Sequence, residues 1–233
     1  MEPTKPYESQ GCEDPRVVRI GNTYYMTYTG HNGPNALLCL ATSRNLTQWK
    51  KYGPLFPNFV TPIAGREWSK SGAILTTPIN GRYIMYFGDY DLYYAWSEDL
   101  IHWTPGSTDD PVLRRCESAF TGRVSEPGPL PFITQDGYIL LLHNAADYKD
   151  RWGSCTSQCL VYGVGQILIS PDQPTKALAK MTRPFLEPET PDETSGLVNN
   201  VVLVEGLVYF GGAYYLYYGG ADATINVAIH QPA

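Results

Sequence analysis

The feature that most constrains this chain is a hairpin unit that occurs four times: an apolar strand, a tight turn containing Gly or Asn, then a strand rich in aromatics or leucine. The copies span residues 17–28 through Gly21-Asn22, 73–87 through Asn80-Gly81, 131–142 through Asp136-Gly137, and 207–218 through Gly211-Gly212. A second repeated element follows two of them. Residues 41–49 and 95–103 share the pattern Ala-x-Ser-x-(Asn/Asp)-Leu-x-x-Trp. Units of four short strands recurring every ~40–60 residues, each closing on a turn and an aromatic plug, predict the blades of a β-propeller, four of them visible here. A two-sheet sandwich also uses short alternating strands, but nothing in it calls for the same Trp corner twice.

Composition agrees with an all-β chain. In 233 residues there are 18 Tyr, 22 Gly and 19 Pro, and that mix suits strands joined by tight turns. Charged residues are only 17%, against about 25% in an average globular domain, which excludes a disordered chain and argues against a solvated helical bundle. The net charge of −6 carries no footprint for nucleic-acid binding. No run of 18 apolar residues occurs and the N-terminus has no apolar leader, so no membrane association and a cytoplasmic location are expected. Five cysteines at irregular spacing fit reduced thiols. Cys155 and Cys159 lack a second Cys/His pair at ligand spacing, so no metal site is expected. Residues 171–200, rich in Pro, Glu and Thr, read as a long connection between blades with a helical turn around residues 175–180. The whole chain, 1–233, reads as one propeller domain.

In a propeller the innermost strand of each blade lines a central channel, and acids repeated at its start converge on one pocket. Asp14, Glu126 and Glu205 each stand beside a Gly or Pro near an inner strand, while Asp89, Asp91, Asp147 and Asp222 follow second strands. Any one of these is an ordinary turn residue. Several together, interleaved with aromatics such as Trp68 and Tyr90, suit a sugar: ring faces stack on pyranose, and carboxylates bind hydroxyls and supply acid/base chemistry.

The ordered motifs Glu13-Asp14-Pro15-Arg16, Trp68-Ser69-Lys70-Ser71-Gly72, Gly128-Pro129-x-Pro131, Val204-Glu205-Gly206 and Gly219-Gly220-Ala221-Asp222 resemble glycoside hydrolase family 130. That family comprises β-mannoside phosphorylases and β-mannosidases on a five-bladed β-propeller, and the resemblance implies a relative without the N-terminal blade. It makes Asp14 the proton donor, acting through a mannose hydroxyl, with Arg16 orienting Asp14 or binding the sugar. Trp68, Lys70, Asp89, Tyr90, His143, Asp147 and Asp222 become substrate-binding candidates. No cofactor is implied, only inorganic phosphate as co-substrate in a phosphorylase. Glu126 and Glu205 replace small or neutral residues of the phosphorylases, and two acids beside a phosphate site repel a dianion. The expectation is therefore an inverting hydrolase of short manno-oligosaccharides, with water activated by Glu126 or Glu205. A phosphorylase using His143 and Lys70 on phosphate is the alternative, followed by an inactive sugar-binding propeller and, more weakly, a five-bladed arabinan- or xylan-active enzyme. Edges left open by an incomplete ring allow a homo-oligomer.

Overall fold

The computed structural model describes residues 1–62, 64–118, 120–148 and 160–232. Four antiparallel sheets follow one another along the chain, each running from an inner to an outer strand. The first holds β1 (Gly11–Ile20), β2 (Thr23–His31), β3 (Ala36–Ser43) and β4 (Lys50–Pro54) in that order. A small two-stranded sheet, β5 (Val60–Thr61) and β6 (Arg66–Glu67), leads to the second blade. That blade holds β7 (Gly72–Ile74), β8 (Tyr83–Phe87), β9 (Tyr93–Ser97) and β10 (Thr104–Pro105). The third holds β11 (Val124–Pro127), β12 (Phe132–Ile133), β13 (Ile139–Tyr148), β14 (Leu160–Ile169) and β15 (Ala177–Lys180), with β11 and β12 both paired to β13. The fourth holds β16 (Val202–Phe210), β17 (Ala213–Gly220) and β18 (Thr224–His230). The inner strands meet: β1 packs on β7 and β16, and β7 packs on β11. The fold is an all-β propeller, with four blades among the described residues.

Turn chemistry explains the hairpins. Asn80 and Gly81 both have positive φ, as do Gly211 and Gly212, which is the primed-turn geometry whose twist matches that of the strands. Ile79 and Arg82 exchange both backbone hydrogen bonds across the first of these turns. The Trp corner is one structure built twice. The Ser43 hydroxyl accepts the amide of Leu46, the Asn45 carboxamide oxygen accepts those of Thr47 and Gln48, and the Trp49 indole donates to the Leu46 carbonyl. Ser97, Asp99, Leu100 and Trp103 repeat those bonds, and both leucines are left-handed, with φ of 64° and 66°.

Apolar cores lie between the blades. Val18, Leu38, Ile74, Phe87 and Trp103 join the first and second, Leu75, Tyr86, Leu141 and Ile167 the second and third, and Leu142, Val164, Val202, Val204 and Leu216 the third and fourth. The fourth blade's other face carries Val208, Tyr217, Ile225, Val227 and Ile229, all exposed, Ile225 at 86%. The helical turn expected around residues 175–180 is a strand instead: Ala177–Lys180 pairs with the outer edge of β14, whose open hydrogen bonds outweigh local helix propensity. The short helix of the connection is α1 (Pro191–Thr194), opened by a Thr190/Glu193 capping box. No helix among the described residues is long and apolar enough to cross a membrane. Cys12, Cys39 and Cys116 are free thiols; Cys155 and Cys159 lie outside the described residues.

Candidate active site

Two β-bulges aim acids at the axis. On β1 the register with β2 shifts between Glu13 and Arg16, and Asp14 in the gap has φ of 51°. On β16 it shifts between Val204 and Gly206, which leaves Glu205 unpaired in the ladder. A bulge frees a residue from strand alternation and turns its side chain, so the inner strands of the first and fourth blades each present a carboxylate. Asp222, just past β17, also has a left-handed φ, of 52°. Strained backbone of this kind persists where the surroundings over-determine it, and it recurs at functional sites.

These residues surround a cavity of about 340 Å³, lined by Glu13, Asp14, Lys70, Asp89, Glu126 and Asp222 on its polar side. Tyr162, Val198, Val201 and Leu203 complete the wall. Arg16 is 2% exposed and ties three blades together. Its guanidinium donates to the carbonyls of Asp14, Pro127 and Gly128 at 2.9, 2.9 and 3.1 Å, and pairs with Glu205 at 3.3 Å and Glu126 at 4.0 Å. Lys70 pairs with Asp14 at 3.0 Å. Trp68 donates its indole N–H to Asp89, and the Arg66 guanidinium stacks 4.1 Å over the Trp68 ring.

The charges sort the acids. Burial opposes ionisation of Asp14, but Lys70 and Arg16 outweigh it and hold the carboxyl below its ordinary range. Burial dominates at Glu126, raised to about 8, and at Glu205, raised to about 7, although Lys70 and Arg16 pull both down. Asp89 and Asp222 are also raised by burial. Asp14 is thus held ionised, whereas Glu126 keeps its proton at neutral pH.

Of the residues singled out in the sequence, Asp14, Lys70, Asp89, Glu126 and Asp222 line the cavity itself, and Arg16 and Glu205 border it through their ion pairs. Trp68 reaches it through Asp89, whereas Tyr90 is half-buried and outside the lining. His143 also lies off the wall. Buried against Phe120, with Ser125 at 3.4 Å, it is lowered by burial to about 4 and is neutral at pH 7. Asp147 is buried where a Cβ on Gly122 would stand, away from the lining. The cavity wall also contains Tyr162, which no motif in the sequence marks. It stands on β14, the third strand from the axis, and its phenol is held protonated by burial and by Glu126 and Asp89.

A family model described as "beta-1,4-mannooligosaccharide phosphorylase" matches residues 1–232. A 1,2-beta-oligomannan phosphorylase of Thermoanaerobacter sp. (strain X514) is 35% identical over 227 residues, covering 95% of this chain and 69% of that protein. A beta-1,2-mannobiose phosphorylase of the same organism is 34% identical, covering 96% and 68%. A solved structure described by the words "The GH130 family of mannoside phosphorylases contains glycoside hydrolases that target beta-1,2 mannosidic linkages in Candida mannan" superposes with a TM-score of 0.86 at 35% identity, covering 97% of this chain and 67% of that one. The chain thus spans about two thirds of the length of each.

Proposed function

Because the chain belongs to glycoside hydrolase family 130, we propose that it cleaves β-mannosidic linkages of short manno-oligosaccharides with inorganic phosphate as the attacking group. A phosphate oxygen bonds to the anomeric carbon, the bond to the aglycone oxygen breaks, that oxygen takes a proton, and mannose 1-phosphate leaves. The observation that carries this reading is a pair of cations at the cavity, Lys70 beside Asp14 and Arg16 beside Glu126 and Glu205, with both glutamates raised by burial. With Glu126 near 8 and Glu205 near 7, the repulsion of a phosphate dianion anticipated from two glutamates is reduced at neutral pH, while the surrounding acids hold Lys70 charged against the effect of burial. Asp14 is the proposed proton donor, through a sugar hydroxyl. A phosphate that draws Lys70 away from Asp14 removes one of the two charges holding its carboxyl ionised, so anion binding and proton loading favour each other. His143, neutral and off the wall, is a packing residue in this reading.

A second reading, inverting hydrolysis, is favoured by one observation: Glu205 sits on a bulge beside the cavity with its carboxyl near 7, in the working range of a general base. It is better poised than Glu126. Incubation with β-1,2- and β-1,4-mannobiose, with and without phosphate, separates the readings. Phosphate-dependent release of mannose 1-phosphate is expected. Free mannose without phosphate transfers the assignment to hydrolysis, and binding without turnover transfers it to a sugar-binding propeller. The free thiols support a reducing, cytoplasmic setting, and the exposed apolar face of the fourth blade supports self-association.

A further inference from the structure

Three acids of the cavity are gripped by one short segment, residues 68–71, which enters β7. Trp68 holds Asp89, Lys70 holds Asp14, and the Ser71 hydroxyl donates to Oε2 of Glu126. Ser71 is fully buried and has φ of 62°, a backbone region that disfavours any side chain and is glycine's by default. The amide of Gly88 bonds its carbonyl at 3.1 Å, which pins the strained peptide in place. A glycine here would remove the strain and cost no packing beyond one hydroxymethyl group, yet the chain carries the hydroxyl, aimed at a carboxyl. We propose that Ser71 is a positioning residue for this site, fixing the orientation of the Glu126 carboxyl toward Arg16 and the cavity and setting how readily it gives up its proton.

The other groups facing Glu126 are Arg16 and Asp14 from β1, Lys70 beside Ser71, Asp89 after β8 and Tyr162 from β14. None of them grips Oε2 as the Ser71 hydroxyl does: the Arg16 guanidinium is 4.0 Å away. Donation to a carboxylate favours the charged form, so loss of the hydroxyl raises the Glu126 midpoint further and frees the side chain to rotate. The catalytic part of the proposal rests on the glycosidic reading above; the titration does not.

The test compares Ser71→Gly and Ser71→Ala with the wild type. Ser71→Gly relieves the left-handed backbone and should melt within a few degrees of the wild type, whereas Ser71→Ala keeps the strain and guards against a purely conformational effect. In both, kcat should fall on the order of 10–100-fold with KM little changed, the cost of a misplaced group near the reacting centre. The Glu126 carboxyl carbon, labelled with ¹³C and assigned through Glu126→Gln, should titrate about one pH unit higher in both variants. An unchanged midpoint and kcat in well-folded Ser71→Gly overturns the proposal. Should the wild type cleave no mannoside, the glycosidic reading fails by itself, and the ¹³C midpoint still decides the role of Ser71.

Discussion

The two most informative side chains are acids that burial treats in opposite ways. Asp14, next to Lys70, stays ionised, and Glu126 keeps its proton to about pH 8. Replacing Asp14 with Asn should lower turnover by a factor of about 10²–10⁴ while mannoside binding, measured by calorimetry, persists. For Glu126 the linkage has a definite sign. Its folded-state midpoint lies above the ordinary 4.5, so between about 4.5 and 8 the folded protein holds a proton that the unfolded chain has released. Stability is therefore greatest at the acid end of that window and falls as pH rises through it. Glu205 adds to the same slope up to about 7. Glu126→Gln should flatten the decline, and its melting temperature should gain on that of the wild type from pH 5 to 8; parallel curves would contradict the assignment.

At the scale of elements, the site depends on bulges, turns and one anchored segment. Gly88 holds that segment by donating to the carbonyls of Lys70 and Ser71 at 3.2 and 3.1 Å. Its φ is 125°, and a Cβ there would stand 2.2 Å from the Asp91 carbonyl oxygen. Gly88→Ala should cost at least about 2 kcal/mol in urea unfolding and lower activity as well, because the segment carries the partners of three acids. Local chemistry made the elements easy to find: Asn80-Gly81 dictates its turn, and the Ser, Asx, Leu and Trp side-chain bonds of each corner stay within its own few residues. The three acids on inner strands were legible for the same reason, since each lies next to a Gly or Pro that breaks the strand. Tyr162 was not, because it reaches the cavity from a strand two removed from the axis, which no local pattern shows. Asp147 and His143 lie off the cavity lining because an acid or imidazole on a strand points inward or sideways according to packing that no local pattern records.

For the molecule as a whole, the fourth blade is the side with the most exposed apolar surface. Strand β18 is an outer edge with no Lys, Asp, Glu or Pro and no bulge, and Ile225, Val227 and Ile229 project from one face of it. Proteins normally protect such edges with charge or cover them. The chain should associate at micromolar concentration, and Ile225→Lys combined with Ile229→Lys should shift light scattering toward the monomer; a wild type already monomeric would refute this. The cavity, by contrast, takes Asp14 from the first blade, Lys70 and Asp89 from the second, Glu126 from the third and Asp222 from the fourth. No two neighbouring blades assemble it, and the Arg16 bonds to Gly128 and Glu205 form only when distant parts of the chain meet. Each hairpin, by contrast, closes over a handful of residues. On dilution from denaturant, β-sheet ellipticity should thus return in an early phase and mannoside cleavage in a later, slower one, the lag between them reporting how long the folded blades wait for one another.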